Sequence, residues 1–431
     1  MDSGKVDLNR REFLGSAAGM GLLILKPQTV RGSQANSAIR MGLLGCGGRG
    51  TAVAKSFIDN TAARYVALAD LFSDQLENAK TSFDKLAEAK SYAGIDPALM
   101  FRGPMSYQEL AGSDKIDVVH IATPGFFHVD HLEAAVAAGK HVYCEKPLGV
   151  DVVQAKRALE VGKKAEGRLS LEVGFQIRSA PPFVELVRRI HANAIGPVAC
   201  ISAHYHATAM RYAPRPPMSH NEIRIRNWYW DHVISGGILV DQNIHVFDIC
   251  NWILKGHPTK AIGTGGRNVR SDFGDTWDNY QVDFTYPEGV HVGFNSVQFG
   301  DKLWDVSERI FGAKGVSESP YSGPVRIIGD EPWVWQDPQA PSGSSPEQSK
   351  FSVTGEFTDN LAFADREKDK SFIESIVSGK FHNQAAAGVE SALTSMLARM
   401  AAHVGHEITW EQLLGSNQQY ELGIDLNQFK T

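Results

Sequence analysis

The chain has 431 residues, 43% of them hydrophobic and 21% charged, with a net charge of −6. That length exceeds one ordinary core and predicts two domains of a globular protein. The acidic balance gives no electrostatic footprint for nucleic acid or an anionic membrane, and no apolar run beyond the N-terminus suits a stable membrane span.

Residues 1–35 read as an export signal rather than as fold. Arg10 and Arg11 precede Phe13 and Leu14, a modest apolar stretch runs to residue 25, and Ser33-Gln34-Ala35 offers a cleavage site. Charge, apolar run and small residues in that order are those of a twin-arginine signal. The expectation is export through the twin-arginine machinery, in folded form, to the periplasm. Export permits disulfides, yet Cys46, Cys144, Cys200 and Cys250 all fall in patterns that predict small buried residues. No C-x-x-C or Cys/His cluster suggests zinc.

Residues 36–150 alternate strand and helix, which predicts a parallel, doubly wound sheet. An apolar strand from residue 39 runs into Gly45-x-Gly47-x-x-Gly50, with Gly48 and Arg49 inside the turn. In a dinucleotide site the first glycine permits the tight turn, the second lets backbone approach a pyrophosphate, and the third lets helix and strand pack. The helix that follows points its free N–H groups at the phosphates. The next strand ends at Asp70, 20 residues beyond Gly50. An acid there can bond a ribose 2′-hydroxyl and repels a 2′-phosphate, which favours NAD over NADP. Asp70 also suits a helix start. Two later strands end at Thr123-Pro124, with His128 beyond, and at Glu145-Lys146-Pro147. Ligands gather at such carboxyl ends of strands. Lys146 could donate to a substrate oxygen there; a surface lysine in a turn is the alternative.

Residues 151–431 change character. A helix and a strand at 169–175 lead to Gln176 and Arg178. Longer β segments at 198–206, 260–265, 279–286 and 290–297 predict a large, mostly antiparallel open sheet. Residues 317–349, rich in Pro, Gly and Ser, read as a long loop, and helices are expected at 369–379 and 386–404. From Gly236-Gly237 helical periodicity runs to residue 254 and sets Asp241 and His245 four apart, on one face. A carboxylate beside an imidazole can orient the ring and stabilise its protonated form, which helps move a proton. A buried structural pair is the alternative. A metal site with Asp248 lacks a further ligand, so no metal is assigned. Arg178, Arg226, Trp228, Tyr229 and Trp230 offer polar edges and apolar faces for a small-molecule substrate, with ordinary packing the alternative for each aromatic. His204, His206, Arg211 and Trp277 are weaker candidates.

The glycine turn, Asp70, Ala122-Thr123-Pro124 with His128, Glu145-Lys146-Pro147 and Asp241-x-x-x-His245, in this order, resemble the Gfo/Idh/MocA family of glucose–fructose oxidoreductase and inositol dehydrogenase relatives. The likeness extends over residues 38–415. It implies an NAD-binding Rossmann domain at 36–150 and a larger α/β domain at 151–431. The open sheet of that domain would make homo-oligomer contacts, in a dimer or tetramer. In exported relatives it also implies a tightly held cofactor. The cofactor side would comprise Gly45, Gly47, Gly48, Arg49, Gly50, Asp70, Thr123, Pro124, His128, Glu145, Lys146 and Gln176. Lys146 matches the lysine of Glu-Lys-Pro. Asp241 and His245 match the pair of members that oxidise a sugar or cyclitol hydroxyl, with His245 the general acid/base. The activity implied is NAD-dependent oxidoreduction of a small carbohydrate. A branch that cleaves glycosides through a transient keto-sugar, on bound NAD, would use the same residues. A non-catalytic sugar-binding scaffold is the third alternative.

Overall fold

The computed structural model describes residues 38–208, 210, 217–300, 304–336 and 360–429. The twin-arginine segment at 1–35 and Arg211 lie outside the described residues. Among the described residues no helix is long and apolar enough to cross a membrane.

The first lobe is a parallel sheet of six strands: β1 Arg40–Leu44, β2 Arg64–Asp70, β3 Met100–Arg102, β4 Val118–Ile121, β5 His141–Cys144 and β6 Leu171–Val173. Their order is β3-β2-β1-β4-β5-β6, with every neighbouring pair parallel. Helices α1 Gly48–Asn60, α2 Ser73–Ala89, α3 Ser106–Gly112, α4 His128–Ala137 and α5 Val152–Ala165 make the crossovers. Strands covered on both faces need near-continuous apolar runs, and every residue of β4 is buried. Its one polar member, His120, is satisfied at Nδ1 by the Tyr65 hydroxyl at 2.8 Å, and burial pulls its pKa down to about 3. The strand order reverses between β1 and β4, and a crevice opens at such a switch point. The expected domain boundary near residue 150 falls between β5 and β6 of this one sheet.

The second lobe is a nine-stranded sheet. Its strands are β7 Val198–Ala207, β8 Lys260–Gly266, β9 Asn279–Thr285, β10 His291–Gln298, β11 Trp304–Gly312, β12 Gly315–Glu318, β13 Arg326–Gly329, β14 Trp333–Val334 and β15 Ile408–Thr409. The order is β14-β13-β12-β11-β7-β10-β9-β8-β15, antiparallel throughout except between β7 and β10. The expected loop from 317 therefore carries short strands as far as residue 334, because Val316, Ile327 and Trp333 find partners on the growing sheet edge.

Further helices follow: α6 Pro181–His191, α7 His220–Arg226, α8 His232–Ser235, α9 Ile238–Asp241, α10 Ile244–Leu254, α11 Ala364–Ser378, α12 Ala385–Val404 and α13 Trp410–Ser416. Of these, α10 packs on β7 and α12 on β8 and β9 of this sheet, whereas α11 packs on α1 of the first lobe. Period-two alternation sets the buried side. Ile201, Ala203, Tyr205 and Ala207 of β7 are buried, and Phe247 of α10 meets Phe284 and Phe294 at 5.2 and 4.6 Å. Cys200 falls on the other face and is exposed, not buried as the strand pattern suggested.

The long helix α12 packs on α5, on α10 and on β8, so one hydrophobic cluster runs through both lobes. Small residues make that approach possible: a Cβ on Gly388 would sit 3.0 Å from Leu148. Arg399 of the same helix is buried and donates to the carbonyls of Val150 and Gly236 at 3.0 and 2.9 Å. It thereby ties the segment after Glu-Lys-Pro to the turn before α9.

Candidate active site

A cleft of about 460 Å³ opens at the switch point of the parallel sheet, lined by the glycine turn, Asp70, Thr123, Pro124 and the C-terminal Leu426. The glycines divide by role. Gly45 has φ +94°, and a Cβ there would lie 2.6 Å from the Ala122 backbone. A Cβ on Gly50 would lie 2.2 Å from the Gly45 carbonyl oxygen, while Gly47 and Gly48 face open space within 4 Å. So Gly45 and Gly50 are glycines for packing, and Gly47 and Gly48 leave room in the cleft for a ligand's phosphates. Asp70 is buried at the far end and accepts from the backbone N–H groups of Cys46 at 2.7 Å and Phe72 at 2.9 Å. Burial raises its pKa, against those two hydrogen bonds. An open glycine turn at a helix N-terminus with an acid at the next strand end fits a dinucleotide.

Lys146, Asp241 and His245 come together from both lobes. Lys146 follows β5, and its Nζ donates to the Asp241 carbonyl and lies 3.4 Å from Asp241 Oδ1. Its side chain is 15% exposed and that of Asp241 is 3% exposed, so the pair faces a narrow opening. Asp241 and His245 do not share one helix as the periodicity suggested. α9 ends at Asp241, Gln242 and Asn243 intervene, and α10 begins at Ile244. Asp241 Oδ2 and His245 Nδ1 are both buried and make no hydrogen bond among the described residues. The imidazole packs edge-on to Phe175 at 5.9 Å. Burial first, and then the Lys146 charge, hold the His245 pKa well below the usual imidazole range. Burial raises the Asp241 carboxyl, with Lys146 opposing. The result is a neutral imidazole, a carboxylate–ammonium pair and two unpaired buried polar atoms.

Behind this pair runs an ionic network. Arg49, inside the glycine motif just before Gly50, donates to Glu145 at 2.8 Å and to both Asp365 oxygens at 2.9 and 3.1 Å. Lys368 donates to Asp365 at 2.6 Å, and Gln176 donates to it at 3.1 Å. Burial pushes the Glu145 carboxyl up, but Arg49, Lys368 and Lys146 outweigh it and hold it below its ordinary range. Arg49 and Glu145 thus support the Lys146 loop through charge pairing, and Gln176 through its hydrogen bond to Asp365. Asp365 and Lys368 were not expected here. Their Asp/Lys alternation is that of a solvated helix face, but packing of α11 on α1 and of the Lys368 ammonium over the Tyr143 ring at 5.1 Å buries Lys368.

The remaining candidates are placed as follows. His128 braces two loops: its Nδ1 is 2.8 Å from the Pro147 carbonyl and its Nε2 is 2.6 Å from the Thr123 carbonyl. Arg226 and Trp228 line the cleft together with Asp70, whereas Lys146, Asp241 and His245 are not among its lining residues. Arg226 pairs with Asp74 and Glu222 and lies over Phe72 at 3.8 Å. Burial, and next the Asp241 charge, raise the Tyr229 pKa. Trp230 is core, with the Arg270 guanidinium 3.4 Å over its ring. Arg178 is paired bidentately with Asp248 at 2.8 and 2.9 Å, and Ser391 completes that carboxylate. Trp277 packs on Tyr280 and His403. His131, with a pKa drawn down to about 3 by burial, and the C-terminal Leu426 also line the cleft and carry no sequence signal of doing so.

Comparison with known proteins agrees with this geometry. Residues 39–173 match a family model described as an oxidoreductase family with an NAD-binding Rossmann fold, and residues 183–318 match the GFO/IDH/MocA C-terminal domain. The chain is 27% identical over 291 residues to inositol 2-dehydrogenase of Rhizobium meliloti, covering 67% of this chain and 78% of that one. It is 30% identical over 219 residues to the scyllo-inositol 2-dehydrogenase (NAD(+)) of Bacillus subtilis, covering 50% and 54%. Its fold is that of scyllo-inositol dehydrogenase from Lactobacillus casei, solved with NAD(H) and scyllo-inositol, at a TM-score of 0.66, 18% identity and coverage of 87% and 99%. Two family models in tandem, a 3-2-1-4-5-6 parallel sheet and an open second sheet make this chain a member of the Gfo/Idh/MocA oxidoreductase family.

Proposed function

We propose that the protein oxidises or reduces a hydroxyl or keto carbon of a sugar or cyclitol with NAD. The observation that carries the reading is Lys146, just past the end of β5 in the sheet that carries the glycine turn, seated on Asp241 with a neutral, buried His245 close enough to feel its charge. Bound NAD would supply the hydride acceptor. The protein then handles orientation and the proton. The neutral imidazole of His245 is in the form that takes a proton from a hydroxyl. The Lys146 ammonium donates to the same oxygen and stabilises negative charge as it develops there. Asp241 holds that ammonium in place.

NAD is favoured over NADP by local charge. Asp70, Asp74 and Glu222 lie around the Arg226 guanidinium, and the Asp70 carboxylate at the strand end disfavours a 2′-phosphate. The test mixes the purified protein with NAD and a panel of inositols, aldoses and glycosides, and follows reduced-nicotinamide absorbance. An absorbance rise with at least one polyol is expected. Failure of both the purified and the NAD-soaked protein to retain nicotinamide would sink the reading. Cleavage of a glycoside with no net reduced cofactor would assign the redox-neutral alternative.

The Arg10-Arg11 pattern supports twin-arginine export to the periplasm with NAD already bound and tightly kept. Denaturing the exported protein and identifying the released nucleotide checks this. The uncovered face of the second sheet supports a homo-oligomer, dimer or tetramer, which light scattering measures.

A further inference from the structure

The face of the nine-stranded sheet opposite α10 carries chemistry that the cleft does not use. Alternation along β7 puts His204 and His206 together on that face, away from buried Ala203 and Tyr205. On one side, β11 pairs Asp305 with His206. On the other, β10 pairs Asn295 with His204. One ligand atom from each of His204, His206 and Asp305 lies within 4.8 Å of the other two. It is the one such His/Cys/Asp/Glu group among the described residues.

The local geometry is poorly explained by hydrogen bonding alone. His204 Nε2 is 3.0 Å from Asp305 Oδ1, yet this solvent-shielded nitrogen makes no hydrogen bond. The two imidazoles stack with centroids 4.7 Å apart and 24° between their planes. His206 Nε2 contacts the Asn295 side-chain oxygen. Nitrogen and oxygen donors from three adjacent strands therefore cluster on this face.

We propose that His204, His206 and Asp305 bind a divalent transition-metal ion of the zinc class, with the Asn295 oxygen a further donor. Two imidazoles and one carboxylate are borderline donors that suit zinc, cobalt, nickel or copper, whereas magnesium and calcium take oxygen sets. Metal–ligand bonds of about 2.0–2.2 Å place tetrahedral donors roughly 3.3 Å apart. The three donors, within 4.8 Å of one another, would close to that spacing as the ion binds. The ion would clasp β7 to β11 and leave an outward coordination position for water.

The test uses the full chain, free of any tag and stripped with a chelator. Titration with Co2+ is followed by visible absorption, and Zn2+ and Mg2+ are then added as competitors. About one equivalent of Co2+ per chain is expected, displaced by Zn2+ and not by Mg2+. The double variant H204A/H206A should abolish the band. D305N keeps both imidazoles and should weaken binding by roughly tenfold or more. Far-UV circular dichroism and urea midpoints of the metal-free variants check their folding. Should the double variant fail to fold, D305N decides alone. Absence of saturable Co2+ binding in the wild type, or binding unchanged in D305N, overturns the proposal.

Discussion

Lys146 donates to the backbone carbonyl of Asp241, 95 positions away, and lies 3.4 Å from the carboxylate of the same residue. One ammonium thus caps the last carbonyl of α9 and neutralises its terminal side chain, joining the edge of the parallel sheet to the helical layer of the second lobe. Cations are favoured at helix C-termini. The same charge presses on His245 and helps keep its imidazole neutral.

Replacing Lys146 with Met should lower kcat by about two to four orders of magnitude. It should also move the acid limb of the kcat/KM profile for oxidation to higher pH. The sign follows from the direction of the shift: Lys146 lowers the His245 pKa, so its removal lets that pKa rise. Residual rates measured across pH report both effects. Full activity with an unmoved limb would refute the roles given to the pair.

The glycine turn separates folding from binding. Gly47→Ala adds a methyl group where nothing lies within 4 Å, so stability should change by less than about 1 kcal/mol while NAD binding weakens by about tenfold or more. Gly50→Ala drives a methyl group to 2.2 Å from the Gly45 oxygen and should cost about 1–3 kcal/mol. Urea titration and NAD titration of the two variants distinguish the effects. Equal binding by wild type and Gly47→Ala would rule out the phosphate site.

Asp365→Asn removes the carboxylate shared by Arg49 and Lys368. Lys368, fully buried, loses its hydrogen-bonded counter-charge while Arg49 keeps only Glu145, which should cost about 3 kcal/mol at neutral pH. Arg49 and Lys368 overcome burial to hold the Asp365 carboxyl well below its ordinary value. Its contribution is therefore present above the unfolded pKa of 3.8 and is lost as pH falls through the folded value. Urea midpoints of wild type and variant should differ at pH 7 and converge in strong acid. Equal midpoints at pH 7 would show that the network contributes nothing.

Glu308 of β11 is fully buried, with Ser319 donating to Oε2 at 2.9 Å and nothing bonded to Oε1. Burial pushes its carboxyl from 4.5 up to about 8. Between those values the folded chain holds a proton that the unfolded chain has lost. Stability should therefore fall as pH rises through that window, by roughly 1.4 kcal/mol per pH unit crossed, and level off above it. Glu308→Gln should flatten this slope and be more stable than wild type at pH 9. Parallel slopes in thermal melts across this range would disprove it.

Much of the fold and half of the site are legible from residue order. Alternating strand and helix patterns up to residue 150 specify the parallel sheet, because strands buried on both faces must be apolar throughout and their crossovers must be amphipathic. The glycines at 45, 47 and 50, the acid at 70 and the Glu-Lys-Pro turn announce themselves because each occupies a strand end, where local backbone geometry selects the residue. The break between Asp241 and His245 is hidden, since apolar residues at 238, 239, 240 and 244 continue the helical rhythm across it. The burial of Lys368 is hidden too. Its Asp/Lys spacing is that of a wet helix, and the partner that closes the network, Arg49, stands 316 positions from Asp365.

The boundary between the two kinds of information is physical. Periodicity, turns and strand ends depend on a few neighbouring residues, so they are written locally and identify the dinucleotide loop, the layered architecture and Lys146, Asp241 and His245 as candidates. Which of Trp228, Tyr229 and Trp230 lines the cleft and which joins the core depends on long-range packing. So does the pairing of His204 and His206 with Asp305. A side chain's charge state and partner follow from its burial, and burial exists only once distant segments have met.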